Sequence, residues 1–169
     1  VLVQRENEGD GVTVMIETPE NITLISEQQY MNAAITAGVQ DVTIMVASVR
    51  PVTGESALTG VYKAFDVNGE EFDSDRLEVA QEELETTSEI ADELDEEDAA
   101  RLDQAMVEIK QELAKLRERT DELATREEIE QIINDALNNH KLENIITQEQ
   151  VERLLSFFER YQQTGAIDS

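Results

Sequence analysis

At 169 residues the chain is long enough for one domain, or for a small domain with an extension, and its 40% hydrophobic content is sufficient for a core. The absence of Cys excludes disulfides, cysteine nucleophiles and thiolate metal sites, and a single His excludes zinc sites built from several His side chains. The formal net charge of −26 disfavours nucleic acid and anionic lipid as partners, and no run of 18 apolar residues exists that would span a membrane.

The first segment, "VLVQRENEGDGVTVMIET", alternates apolar and polar residues on both sides of an Asn/Gly/Asp cluster. Val12, Val14 and Ile16 recur with period two and share one face. Because "NEGDG" is rich in hairpin residues, the pattern predicts two antiparallel strands joined by a tight turn. "ITLI", after a second turn at "TPEN", predicts a third short strand.

A helix and a buried strand follow. In "SEQQYMNAAITAG", Ser26 and Gln29 have capping-box spacing and Gly38 stands where a helix ends. "DVTIMVASV" is apolar almost throughout and rich in β-branched residues, which predicts a central strand buried on both faces. With a further helix over 55–66, these elements predict an α/β domain over residues 1–73.

Residues 74–124 are helical in pattern, acidic at first and then heptad-bearing. Apolar residues recur at alternating spacings of four and three through Leu102, Met106, Ile109, Leu113, Leu116 and Leu123, with Thr120 as the polar exception. One interpretation is a long amphipathic helix that packs on its own domain. The alternative is a coiled-coil surface, in which Met106, Ile109, Leu113 and Leu116 bind a protein partner or a second copy. Asp95, followed by three acids, predicts the N-terminus of a new helix within this stretch.

Residues 125–169 predict a helical hairpin. Thr125 with Glu128 and Thr147 with Gln150 have capping-box spacing, and each pair precedes an amphipathic run. The predicted fold class is therefore α/β (α+β): a small mixed β-sheet with packed helices, followed by a helical C-terminal half with a long amphipathic helix and a hairpin.

The loop "RPVTGESALTG" has the layout of a phosphate-binding loop but lacks the GK[ST] ending and the G-x-G-x-x-G spacing. Glu55 in the first helical turn would repel a phosphate, and Thr53 is better explained as a helix N-cap. We therefore expect no nucleotide here. An enzyme alternative stays open, in which carboxylates act near the loop 50–56 and Arg50 binds an acidic group.

Two further sites are weighed from residue types. His140 lies in the polar connection "NNHK" and is predicted to be a solvated loop residue. The loop "DVNGEEFDSD" offers oxygen ligands for calcium, although its spacing is not that of an EF-hand. The predicted calcium ligands are Asp66, Asn68, Glu70 and Asp73, with helix capping by Asp73 as the ordinary alternative.

"YMNAAITAGVQDVTIMVASVRPVTGESALTGVYKAF" resembles the central signature of the YpuA-like family, a domain of unknown function from secreted or envelope-associated proteins of Gram-positive Firmicutes. The matching residues are Tyr30, Asn32, Ala33, Thr36, Ala37, Gly38, Asp41, Pro51, Val52, Gly54, Ala57, Leu58, Thr59 and Gly60. The resemblance implies an exported protein whose signal peptide is absent from this chain, and it implies no activity, cofactor or catalytic set. We expect a non-enzymatic binding or assembly protein, with the surface enzyme and a calcium-stabilised extracellular module as alternatives.

Overall fold

The computed structural model describes residues 1–23, 25–53, 56, 59–60, 62–63 and 73–168. The strands are β1 (Leu2–Arg5), β2 (Val12–Ile16), β3 (Ile22–Thr23), β4 (Val42–Val46) and β5 (Val52–Thr53). The α-helices are α1 (Glu27–Thr36), α2 (Ser74–Asp92), α3 (Glu96–Thr120), α4 (Arg126–Asn139) and α5 (Gln148–Tyr161), followed by a 3-10 helix at Gly165–Asp168. This is an α+β fold with a helical C-terminal half, as predicted.

Two compact units divide the chain, Val1–Glu85 and Thr86–Ser169. The boundary between them lies inside α2, whereas the sequence pattern places its first boundary before that helix. Among the described helices, none combines the length and the apolar character that a membrane crossing requires.

The first unit contains a three-stranded mixed sheet in the order β1-β4-β2. β1 pairs antiparallel with β4, and β2 pairs parallel with β4 through the register Val12↔Val42 to Ile16↔Val46. The predicted β1–β2 hairpin is therefore wrong, because β4 lies between these two strands. A parallel pair needs a crossover connection, and α1 lies in the connection from β2 to β4. β3 and β5 form a separate two-stranded parallel sheet.

Asp41 explains why the "NEGDG" loop does not close a hairpin. Its carboxylate Oδ1 accepts hydrogen bonds from the backbone N–H groups of Gly9 and Gly11 at 3.0 and 2.8 Å. Both glycines have positive φ, 92° and 75°, which their missing Cβ permits. The loop is thus anchored at the start of β4 and carries the chain from one edge of the sheet to the other.

One face of the sheet forms the core of the first unit. Val14, Val42, Ile44 and Val46 pack with residues of α1 in a buried cluster. The shared face predicted for Val12, Val14 and Ile16 is confirmed, since Val12 and Ile16 pack against the same cluster. β4 is central in the sheet but not buried on both faces as predicted, because burial alternates along it and Thr43 and Met45 are only half-buried.

The second unit is built from helices whose N-termini match the predicted caps. The side chains of Asp95, Thr125 and Thr147 each accept a hydrogen bond from a backbone N–H in the first turn of α3, α4 and α5. The predicted capping boxes at Thr125 and Thr147 are both present. The helices bury a common core made of Leu102, Met106, Ile109, Leu113, Ile129, Ile133, Leu137, Leu154, Phe157 and Phe158.

Candidate functional site

Four heptad residues of α3 lie in the interior of the second unit: Leu102, Met106, Ile109 and Leu113. Met106, Ile109 and Leu113 are no more than 1% exposed, whereas Leu116 is half-buried. A partner could contact the first three side chains only if the bundle opened. Their burial corresponds to the interpretation of α3 as an amphipathic helix packed on its own unit, and a partner-binding role for these residues is an untested prediction.

Three of the four predicted calcium ligands, Asp66, Asn68 and Glu70, lie outside the described residues. Asp73 is described: its Oδ1 accepts a hydrogen bond from the backbone N–H of Asp75 at 2.9 Å, at the start of α2. Within the described ranges, no group of three or more Asp, Glu or His side chains is arranged to hold a metal ion. Helix capping accounts for Asp73, and the calcium site stays a prediction.

The loop after β4 is described in part. Arg50 and Ser56 are exposed, whereas Glu55 and the side chain of Thr53 lie outside what the structure describes. The Ser48 hydroxyl donates to the carbonyl oxygen of Arg50 at 2.7 Å, which fixes the turn into β5. These contacts are structural, and the enzyme alternative stays a prediction.

His140 is not the solvated loop residue that its sequence context predicts. It is the C-cap of α4, and its Nε2 lies 2.6 Å from Oε2 of Glu108 on α3. The amide of Asn139 donates to the other oxygen of the same carboxylate at 2.6 Å. One carboxylate therefore joins the end of α4 to α3, and the histidine has a structural role.

A cavity of about 350 Å³ lies in the second unit at the C-terminal end of α3. Its lining residues are Ala114, Arg117, Glu118, Asp121, Ile167 and Asp168. The guanidinium of Arg117 donates to the carbonyl oxygen of Asp121 at 3.0 Å, which satisfies the helix end. Arg117 is thus already hydrogen-bonded, and the acidic residues beside it at a helix terminus do not by themselves indicate a ligand.

Sequence reasoning did not find the charged contacts that hold the C-terminal end of α1. Arg76 of α2 donates through Nε to the carbonyl oxygen of Thr36 at 2.9 Å and through Nη2 to that of Ile35 at 3.2 Å. Two helical turns further along α2, Glu83 is 1% exposed and accepts a hydrogen bond from the Thr36 hydroxyl. Burial raises the pKa of Tyr62 above its usual value, and the negative charge of Glu83 raises it further. Arg76 and Glu83 thus connect α2 to the C-terminal end of α1.

The face of the sheet turned away from the core carries a row of apolar side chains. The register places Leu2, Met45 and Met15 opposite one another on β1, β4 and β2. Leu2 is 59% exposed, Met15 is 38% exposed and Met45 is half-buried. A neighbouring row, also set by the register, contains Gln4, Thr43 and Thr13. We call these six residues the outer sheet face.

The outer sheet face carries no charge, although the chain has a net charge of −26. Acids border it at both ends. Glu6 follows β1 and accepts a hydrogen bond from the Gln4 amide at 3.3 Å, so both side chains lie on the same face. Glu17 continues β2 with the same alternation as Met15, and its N–H bonds the carbonyl of Val46 at 2.9 Å. An uncharged centre with methionines and a polar border has the composition of a protein-binding surface.

The signal for this face was present in the sequence. "VTVMI" and "VTIMV" both place Thr and Met at alternate positions, and that alternation is typical of a sheet with one solvent-facing side. Because "DVTIMVASV" is apolar almost throughout and rich in β-branched residues, the local pattern favours a strand buried on both faces instead. Which strands would lie side by side was not evident, because the order β1-β4-β2 depends on long-range pairing.

Comparison with known proteins agrees with the resemblance in the sequence. The model of a family described as "Protein of unknown function (DUF1002)" matches residues 1–169. The chain is 37% identical over 153 residues to the uncharacterized protein YpuA of Bacillus subtilis (strain 168), a match that covers 90% of the chain and 49% of that protein. The chain thus spans about half the length of this curated relative. No solved structure matches the chain.

Proposed function

The chain belongs to the family described as a protein of unknown function (DUF1002), and from this premise we propose that it is a non-enzymatic binding or assembly module, secreted or attached to the envelope of a Gram-positive bacterium. Its partner is a protein that docks on the outer sheet face. The observation that carries this proposal is the uncharged face with its Leu2–Met45–Met15 row in a chain of net charge −26. The location is proposed from the family resemblance, and fractionating a culture of the source organism with an antibody to the chain tests it.

Charge complementarity supports a basic protein as the partner. The centre of the face offers apolar and uncharged polar side chains, whereas Glu6 and Glu17 border its ends. A second copy of the chain would bring its own acids against these and would carry the same negative charge. The fitting partner therefore has an apolar stripe flanked by Lys or Arg side chains, which approach faster at low ionic strength.

Site-specific photo-crosslinking tests this proposal. Since the chain has no Cys, Thr13→Cys provides one thiol on the outer sheet face for a photoreactive label. We expect an adduct of defined mass in cells of the source organism, and no such adduct when the label is attached at Gln163, an exposed residue of the second unit.

Met15→Lys should abolish the adduct, because it places a charge at the centre of the surface that the partner desolvates. Ile35→Lys is the matched control: Ile35 lies on α1 of the same unit, is 37% exposed, and its substitution changes the net charge equally. Circular dichroism must show both variants folded. An adduct that persists in Met15→Lys, or one whose mass is that of two copies, would contradict the proposal.

A further inference from the structure

The outer edge of β2 carries backbone groups with which another strand could pair: Val14 at the centre of the strand is buried, and Val12 and Ile16 at its ends are half-buried. β2 is a terminal strand in the order β1-β4-β2, and in the described part of the chain no strand pairs with its far side. Its sequence "VTVMI" is uncharged and rich in β-branched residues. Such an edge is a template for pairing with a second chain unless something blocks it.

The direction of each backbone N–H in β2 follows from the ladder with β4. The N–H of Glu17 donates to the carbonyl of Val46 at 2.9 Å, so odd-numbered residues turn their N–H towards β4. Because successive residues alternate, the N–H groups of Val12, Val14 and Ile16 point to the outer edge. Ile16 is thus the last outward donor of the strand.

The outward N–H of Ile16 donates to Oε1 of Glu27 at 2.8 Å. Glu27 is the first residue of α1, and the capping box of Ser26 and Gln29 fixes its position: the Gln29 N–H donates to the Ser26 hydroxyl at 3.0 Å, and the Ser26 N–H donates to the Gln29 side chain at 2.9 Å. The side chain also lies at the positive end of the helix, and a hydrogen bond to a carboxylate is stronger than one to a neutral acceptor.

We propose that Glu27 blocks the edge of β2, so that its carboxylate occupies the backbone position at which a strand from a second copy of the chain would begin to pair. The charge of Glu27 repels an approaching acidic chain, but it is the hydrogen bond to Ile16 that occupies the N–H group an added strand would use. The same contact fixes the end of β2 against the start of α1.

Amide hydrogen exchange and sedimentation velocity on Glu27 variants test this inference. Glu27→Ala should speed exchange at the Ile16 amide by roughly tenfold or more, since a hydrogen bond to a charged group is lost. The same variant should sediment as larger species with rising concentration. Glu27→Gln retains a side-chain oxygen acceptor and should behave like the wild type. Glu20→Ala, which removes an exposed acid from the same unit, is the charge control.

A spin label at Thr13→Cys locates any association. In the Glu27→Ala background, strands that pair through β2 would bring two labels close and broaden the spectrum, whereas the labelled wild type should retain narrow lines at the same concentration. If Glu27→Ala fails to fold, Glu27→Asp replaces it: it retains the charge, but its shorter side chain loses the reach to Ile16.

Three results would overturn the inference. The first is a variant that loses protection at Ile16 but sediments like the wild type at every concentration. The second is association of Glu27→Gln or Glu20→Ala to the same extent as Glu27→Ala, which would assign the effect to charge alone. The third is association without spectral broadening, which would place the contact elsewhere.

Discussion

Leu113 and Leu116 provide a test of whether α3 uses its heptad residues for its own core. Both are leucines on the same helix at consecutive apolar positions, but Leu113 is 1% exposed and Leu116 is half-buried. Replacing each by Ala removes the same atoms. The two substitutions therefore differ in the burial of the leucine and not in the atoms removed, and the difference between their effects on the free energy of unfolding measures the effect of burial.

The expected magnitudes follow from burial and cavity formation. Removing about three carbon groups at ~0.8 kcal/mol each costs roughly 2.4 kcal/mol at a fully buried site. The cavity left at Leu113 brings its total to about 3–4 kcal/mol. At Leu116 the transfer term is roughly halved and water fills the space, so we expect about 1 kcal/mol.

Urea unfolding followed by far-UV circular dichroism gives both values. Because the chain has two compact units, hydrogen exchange mass spectrometry should accompany it to show that peptides of the second unit lose protection. Equal costs for the two variants would refute the argument from burial. A cost below about 1 kcal/mol for Leu113→Ala would return these residues to the partner-binding interpretation.

Two further substitutions test one buried residue in each unit. The buried Gln162 side chain accepts a hydrogen bond from the N–H of Ala124 at 2.9 Å and donates one to the Ala124 carbonyl oxygen at 2.8 Å. Gln162→Ala should therefore lower the free energy of unfolding in urea by about 1–3 kcal/mol, whereas Gln163→Ala, at an exposed position, should change it by less than about 0.5 kcal/mol. Similar losses in the two variants would contradict a stabilising role for the Gln162–Ala124 hydrogen bonds. Burial raises the pKa of Tyr30 above its usual value, so the contribution of the protonated side chain to stability is complete below about pH 10 and declines as the pH rises further. Tyr30→Phe should therefore reduce the loss of stability between about pH 9 and about pH 11. An unchanged dependence of the free energy of unfolding on pH in this variant would contradict the prediction.

Local signals in the sequence predicted the helices well. Ser26, Asp95, Thr125 and Thr147 each begin a helix because a side-chain oxygen satisfies a backbone N–H that the helix itself leaves unpaired. Such caps depend on residues within one turn, so the sequence alone contains the whole interaction.

Strand order could not be predicted in the same way. The Gly-rich "NEGDG" loop is compatible with a hairpin, but Asp41, some 30 residues away along the chain, binds its N–H groups and places β4 between β1 and β2. The residues of the loop do not indicate that Asp41 will bind it. The same holds for His140, whose polar neighbours indicate a solvated turn, while Glu108 on another helix engages it.

The heptads of α3 show a second limit. Apolar residues at spacings of four and three occur both in helices that pack within their own chain and in helices that pair with another chain, so the pattern does not distinguish the two. Only the tertiary packing decides the matter: α3 packs against α4, and Met106, Ile109 and Leu113 are buried. The acidic loop assigned to calcium stays untested for a different reason, since Asp66, Asn68 and Glu70 lie outside the described residues.

The two proposals together assign different roles to the side chains and the backbone of one sheet. A partner that added a strand would gain main-chain hydrogen bonds and little discrimination, whereas one that docks on the outer sheet face must fit Leu2, Met15 and Met45. Glu27 at the edge of β2 disfavours the first mode and leaves the second accessible. Affinity would then depend on a few methionine and leucine contacts at an uncharged centre, and the surrounding acids would select among basic partners by their rate of approach.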